Sequence, residues 1–210
     1  MSQRARPATP VEDVAVLTPT RLETWAARRR LPRARVHRIG LACCRGLPNP
    51  LGRAIVCGLA GGLDPTLEPG DVVIADAAAL PGEDLVPTDP ELTDRLEHAA
   101  RSLGFRTTRG PVLTAPHLVT GPARSRWQGF LAVDMEAAQV LRERPRTGAV
   151  RVVLDTGTRE LAPEWERPAL AALTPGRWAE MLRLAREAPG AALLAASVVR
   201  AALNPSPPRS

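Results

Sequence analysis

Apolar positions along this chain fall into two rhythms. The first is the short apolar run of a buried strand, unbroken at residues 14–17 (Val-Ala-Val-Leu) and 54–57 (Ala-Ile-Val-Cys), opened by Asp71 at 71–75 and carrying Arg151 at 149–154. Residues 35–41, with Val36, Ile39 and Leu41 apolar, predict another strand, and 111–120 an extended apolar segment. The second rhythm is helical. Residues 22–30 suit a helix that stops before Pro32. Asp89-Pro90-Glu91 starts a helix, with aspartate as N-cap and proline at the first helical position. Leu92, Leu96, Ala99 and Leu103 form its stripe, and Gly104 closes it. Residues 133–144 predict a helix entered from a strand. Thr174-Pro175 starts an amphipathic helix (Trp178, Met181, Leu182, Ala185) that Pro189-Gly190 breaks and 191–203 continues. Strands alternating with helices predict one α/β domain around a mixed, largely parallel sheet. It covers 13–203, with 174–203 a helical C-terminal extension. Residues 1–12 read as a disordered leader and 204–210 as a disordered, proline-rich tail.

Composition narrows the class. At 210 residues and 44% apolar content the chain can bury a full core, and no apolar run is long enough to span a bilayer. Residues 1–10 are polar and arginine-bearing, unlike a secretory signal. Three cysteines, two of them adjacent (Cys43, Cys44), give neither a disulfide framework nor a metal spacing, so no metal site is expected. The expectation is a cytoplasmic protein. All 28 basic residues are arginine, unevenly spread. Residues 1–53 hold 11 against 3 acids and 177–210 hold 5 against 2, which leaves the middle at 12 against 17. Such ends are either solvated faces or contacts for phosphate, anionic lipid or nucleic acid. The last finds no aromatic platform or motif, so no nucleic-acid partner is expected.

The candidate chemistry lies just past the strands, where open α/β sheets bind ligands. Thr18, Arg21 and Glu23 follow the first run, and Gly58, Gly61 and Gly62 end the run 54–57. Asp134, Met135 and Glu136 follow 131–133, and Asp155, Thr156 and Thr158 follow the last run. Glycines there let backbone approach a group closely. The three acids Glu23, Glu136 and Asp155 can bind vicinal hydroxyls, activate water or protonate a leaving group. Each also has a plain structural reading: Glu136 as an acid favoured in a helix first turn, Asp155 as a loop cap, Glu23 as an exposed helix residue. Arg21 is either a phosphate ligand at a helix N-terminus or a surface arginine.

The segments "CGLAGGLDPTLEPGDVVIAD" (57–76), "AVDMEAAQV" (132–140) and "VRVVLDT" (150–156) resemble, in order, the nucleoside phosphorylase and nucleosidase superfamily. The resemblance implies a three-layer α/β/α sandwich, no cofactor, and a homo-oligomer, a dimer. It implies that Glu136 holds the ribose hydroxyls, that Met135 packs on the sugar, and that Asp155 protonates the departing purine. Glu23 positions the attacking water, and Gly61 and Gly62 border the ribose and the nucleophile. Leu118 and Val119 fall where the family stacks an aromatic on the base and offers it backbone hydrogen bonds. The chain departs from the family at Leu59 and Leu154, where serines are usual, at Leu118, which is not aromatic, and in a shortened segment 43–53.

The implied reaction is cleavage of the N-glycosidic bond of an adenine nucleoside by water or by phosphate as co-substrate. A non-catalytic nucleoside binder is the rival. Within the superfamily the chain is most similar to the hopanoid-biosynthesis branch, which implies a lipid-linked substrate such as adenosylhopane. Peripheral docking on the inner membrane face is then expected, with Leu193, Leu194, Val198 and Val199 lining an apolar mouth. Methylthioadenosine, adenosylhomocysteine and futalosine are the alternative substrates.

Overall fold

The computed structural model describes residues 14–31, 35–49, 52–161, 176 and 178–204. The leader 1–12, most of the tail and the helix start at Thr174-Pro175 lie outside them. Strand β1 (Val14–Thr18) leads into helix α1 (Arg21–Arg30), and β2 (Arg35–Arg38) follows. The predicted strand 35–41 ends early, because Gly40 takes φ 80° and Leu41–Cys43 form a short 3-10 turn. Then come β3 (Arg53–Gly62), β4 (Val72–Ala79), β5 (Val86–Pro87) and α2 (Pro90–Ser102). They are followed by β6 (Thr107–Thr114), β7 (Ala132–Asp134), α3 (Ala137–Glu143), β8 (Thr147–Asp155) and α4 (Trp178–Leu203). A 3-10 segment, Gly121–Trp127, precedes β7, and the extended run from Pro111 already ends at Thr114.

Five strand pairs are parallel (β1–β2, β1–β3, β3–β8, β4–β6, β6–β7) and three antiparallel (β3–β7, β4–β5, β4–β8). Strands β3, β7, β6, β4 and β8 therefore close on themselves, while β1 and β2 extend one side and β5 the other. Alternation along the strands divides the core into two layers. Val14, Val16, Ile55, Cys57, Val72 and Ile74 face α1, α2 and α4, while Ala15, Leu17, Val56, Val73 and Ala75 face α3. Helices thus cover both faces of one mixed sheet.

Two helical expectations change. In α2 the buried stripe is Leu92, Leu96, Ala99 and Ala100, while Leu103 is the exposed C-cap ahead of Gly104 at φ 78°. Helix α4 runs unbroken for 26 residues through Pro189. Proline removes one backbone hydrogen bond, but Ala188, Ala192, Ala195, Ala196, Val198, Val199 and Ala202 are buried on one flank and hold the axis together. Val198 and Val199 belong to this core, with Leu194 packed against it and Leu193 against a neighbouring cluster under α1, so this stretch of α4 covers the sheet and lines no apolar mouth. Among the described residues no helix is long and apolar enough to cross a membrane.

Helix α2 lies close enough to β8 that a Cβ on Gly148 would sit 2.9 Å from Leu92 Cβ and 3.1 Å from Leu96 Cδ1. Gly148→Ala is expected to lower unfolding free energy by about 1–3 kcal/mol, measured by urea titration.

Candidate active site

A cavity of about 210 Å³ opens at the carboxyl ends of β1, β3, β7 and β8. Glu23, Glu136 and Asp155 all line it, with Met135, Leu118, Val119, Gly61, His117 and Arg124. Gly62 is not in the wall; its carbonyl accepts a 2.6 Å hydrogen bond from Arg124 Nη1 and so places that side chain. Arg21 is elsewhere, in a separate groove with Thr24, Trp25, Arg28, Arg29 and Arg38. The glycine run does not end the strand: β3 continues through it to Gly62, and none of its glycines has positive φ.

Glu23 reaches the cavity because it starts α1. Its Oε2 accepts from the Thr20 backbone N–H (2.8 Å) and hydroxyl (2.6 Å), and its own N–H donates to Thr20 Oγ1, which makes a capping box. Its Oε1 accepts from Leu59 N–H at 2.8 Å. At 4% exposure it is no surface helix residue. Close approach to β3 is what Gly58 provides, since a Cβ there would lie 2.5 Å from Glu23 Oε1 and 3.1 Å from Arg151 Nη1.

Asp134 and Arg151 form a fully buried ion pair that the sequence reading did not single out. Arg151 Nε donates to Asp134 Oδ2 at 2.7 Å, and Nη2 bonds the same oxygen. Thr114 Oγ1 donates to Oδ1 at 2.6 Å, and Ala137 N–H reaches Oδ2 at 3.1 Å. Asp134, not Glu136, therefore satisfies the start of α3. Glu136 is freed to face the cavity: its Oε1 accepts from Ala42 N–H at 3.0 Å, and Oε2 lies 3.7 Å from Arg151 Nη2. Burial, reinforced by the Asp134 charge, pushes its carboxyl up to about 8. Ala42 and Cys43 meet it from left-handed backbone, φ 48° and 55°, a strained conformation for side-chain-bearing residues. Arg151 Nη1, beside Glu23, is buried without a hydrogen-bond partner. An orphaned donor costs about 1–3 kcal/mol.

Asp155 owes its direction to a bulge. The β3–β8 register runs evenly to Ala60↔Val153 and then pairs Gly61 with Asp155, skipping Leu154. The extra residue turns Asp155 into the cavity. Asp155 is 5% exposed and ion-paired through Oδ2 to Arg124 Nη2. Burial raises its carboxyl above the ordinary range, against the opposing pull of Arg124. Arg124 Nε lies 3.2 Å from Glu160 Oε1, which also accepts from Gly121 N–H at 2.8 Å. The signals for the two missed arginines were faint: Arg151 is a charge inside an apolar strand, and Arg124 is one arginine of a loop. Among the described residues no cluster of histidine, cysteine or acid suits a metal.

The family model described as the phosphorylase superfamily matches residues 51–167. No curated protein sequence matches the chain. Among solved structures it is similar to a Helicobacter pylori 5'-methylthioadenosine/S-adenosyl homocysteine nucleosidase (TM-score 0.71, 12% identity, 93% of this chain and 99% of that one). It is also similar to the Neisseria meningitidis nucleosidase of the same description (0.68, 20%, 90% and 97%). A futalosine hydrolase of Helicobacter pylori matches as well (0.70, 12%, 92% and 98%). At these identities the likeness is one of fold.

Gly58→Ala is expected to push Glu23 off Leu59 N–H, speeding exchange of that amide and costing about 1–3 kcal/mol. Glu136 gives a pH signature. Folding raises its carboxyl from 4.5 to about 8, so the stability it contributes is complete below 4.5 and is lost as pH rises through about 8. Glu136→Gln, which mimics the neutral acid, should melt close to the parent at pH 4 and above it at pH 9.

Proposed function

The chain belongs to the phosphorylase superfamily, and from that premise we propose that it hydrolyses the N-glycosidic bond of a purine nucleoside. The observation that carries this reading is the convergence of Glu23, Glu136 and Asp155 on one small, mostly apolar cavity. Glu136 would hold the ribose hydroxyls, with Met135 against the sugar. Asp155, its carboxyl raised by burial, would donate its proton to purine N7 while the C1′–N9 bond breaks and the electron pair passes to the base. A water held by Glu23 would attack C1′ and pass its proton to Glu23, completing the hydrolysis.

Water is favoured over phosphate by charge. A phosphate near Glu23 would face an acidic side chain, and the phosphate candidate Arg21 lies in the other groove. Leu41, Leu59, Leu118, Val119, Leu154 and Leu161 make up much of the remaining wall, which supports a substrate with an apolar 5′ substituent. The lipid-linked nucleoside implied by the sequence resemblance has such an end, although the burial of Val198 and Val199 withdraws the support expected from α4.

The test is release of free base from purine nucleosides without phosphate, with oxygen from labelled water appearing in the ribose. Asp155→Asn is expected to lower kcat/KM about 10²–10⁴-fold. Turnover that requires phosphate, or an unimpaired Asp155→Asn, would overturn the assignment.

A second reading, docking on an anionic surface, is favoured by the groove of Arg21, Arg28, Arg29 and Arg38 around Trp25, which is 45% exposed with Arg29 over its ring. Each basic residue near such a surface contributes about 1 kcal/mol. The protein is expected to sediment with phosphatidylserine vesicles at low salt and to lose this when Arg28 and Arg29 are both changed to Ser.

A further inference from the structure

We infer that Arg124 makes the cavity selective for 6-oxopurines, the hypoxanthine or guanine type, over adenine. The inference rests on the proposed function for the placement of the base beside Asp155. The resemblance implied adenine, and adenine has a definite requirement at an acid. Its N7 accepts a proton while its 6-amino group, on the same edge, donates, so the ideal partner is one carboxyl with both oxygens available. Asp155 does not offer that. Its Oδ2 is taken by Arg124 Nη2, and its Oδ1 faces the Gly61 wall of the cavity, 3.1 Å from where a Cβ on that glycine would stand. A base at Asp155 therefore meets a carboxyl and, directly beside it, a guanidinium.

A guanidinium only donates. Facing the 6-amino group of adenine, it sets donor against donor and a cation near the amine. Facing a 6-oxo group it makes a charge-assisted hydrogen bond, in the arrangement by which arginine reads O6 and N7 of guanine. Arg124 is well held for this task. It is 7% exposed, tied by Nη1 to the Gly62 carbonyl at 2.6 Å, and flanked by Glu160 Oε1 at 3.2 Å from Nε. It also lines the cavity, where it stands beside Asp155. As the C1′–N9 bond breaks, negative charge delocalised onto O6 would meet this cation while Asp155 serves N7. Arg124 would thus bind the leaving group as well as select it.

The test compares hypoxanthine with adenine as free bases by calorimetry, and inosine with adenosine as substrates, in the parent, Arg124→Gln and Arg124→Lys. The parent is expected to bind hypoxanthine at least about tenfold tighter, with the same sense in kcat/KM. In Arg124→Gln, whose amide both donates and accepts, the ratio should fall to near one; Arg124→Lys, keeping a cationic donor, should retain the preference. A parent that favours adenine, or shows no preference, overturns the inference, as does a preference that survives in Arg124→Gln. Cleavage of both nucleosides without preference leaves hydrolysis standing and removes the role of Arg124. Tighter hypoxanthine binding with neither nucleoside cleaved does the reverse. Failure to bind either base overturns both.

Discussion

The site depends on the buried pair of Asp134 and Arg151. Two charges wholly withdrawn from water are tolerable only when their hydrogen bonds are nearly all met, and here they join four elements. Asp134 ends β7, satisfies the first turn of α3 and receives Thr114 from β6; Arg151 comes from the middle of β8. Because Asp134 takes over the helix start, Glu136 has no structural duty at its own N-cap position. Because Arg151 is anchored through Nε and Nη2, its Nη1 is left directed at the corner where Glu23 stands. Removing either partner would leave an uncompensated charge in the core and disturb both acids at once.

The remaining groups are placed by equally local devices. A capping box brings Glu23 inward, and one skipped residue in the β8 register aims Asp155. Burial raises both Glu136, to about 8 with the Asp134 charge adding to it and Arg151 opposing, and Asp155, where Arg124 opposes.

Much of this was legible in the chain. Apolar runs marked the buried strands, Asp89-Pro90 marked α2, and the acids past strand ends do meet in one cavity. What escaped depended on partners distant in sequence. Arg151 is a charge among valines until Asp134 is brought beside it across the sheet, and Arg124 acquires meaning only through Asp155. The break expected at Pro189-Gly190 followed local propensity, which packing of the alanine-rich flank against the core overrides. Arg21 follows β1 as a site residue would, yet it points along a different side of α1 from Glu23.

Closure of β3, β7, β6, β4 and β8 into a ring has a consequence for how the molecule meets its own copies. Among the described residues the strands that end the sheet are β2 and β5. Strand β2 is four residues long and bracketed by Arg35 and Arg38; β5 has two residues, the second a proline with no N–H to offer. Both are poor templates for a foreign strand. Continuation of the sheet from one copy into another is therefore disfavoured at both of its ends.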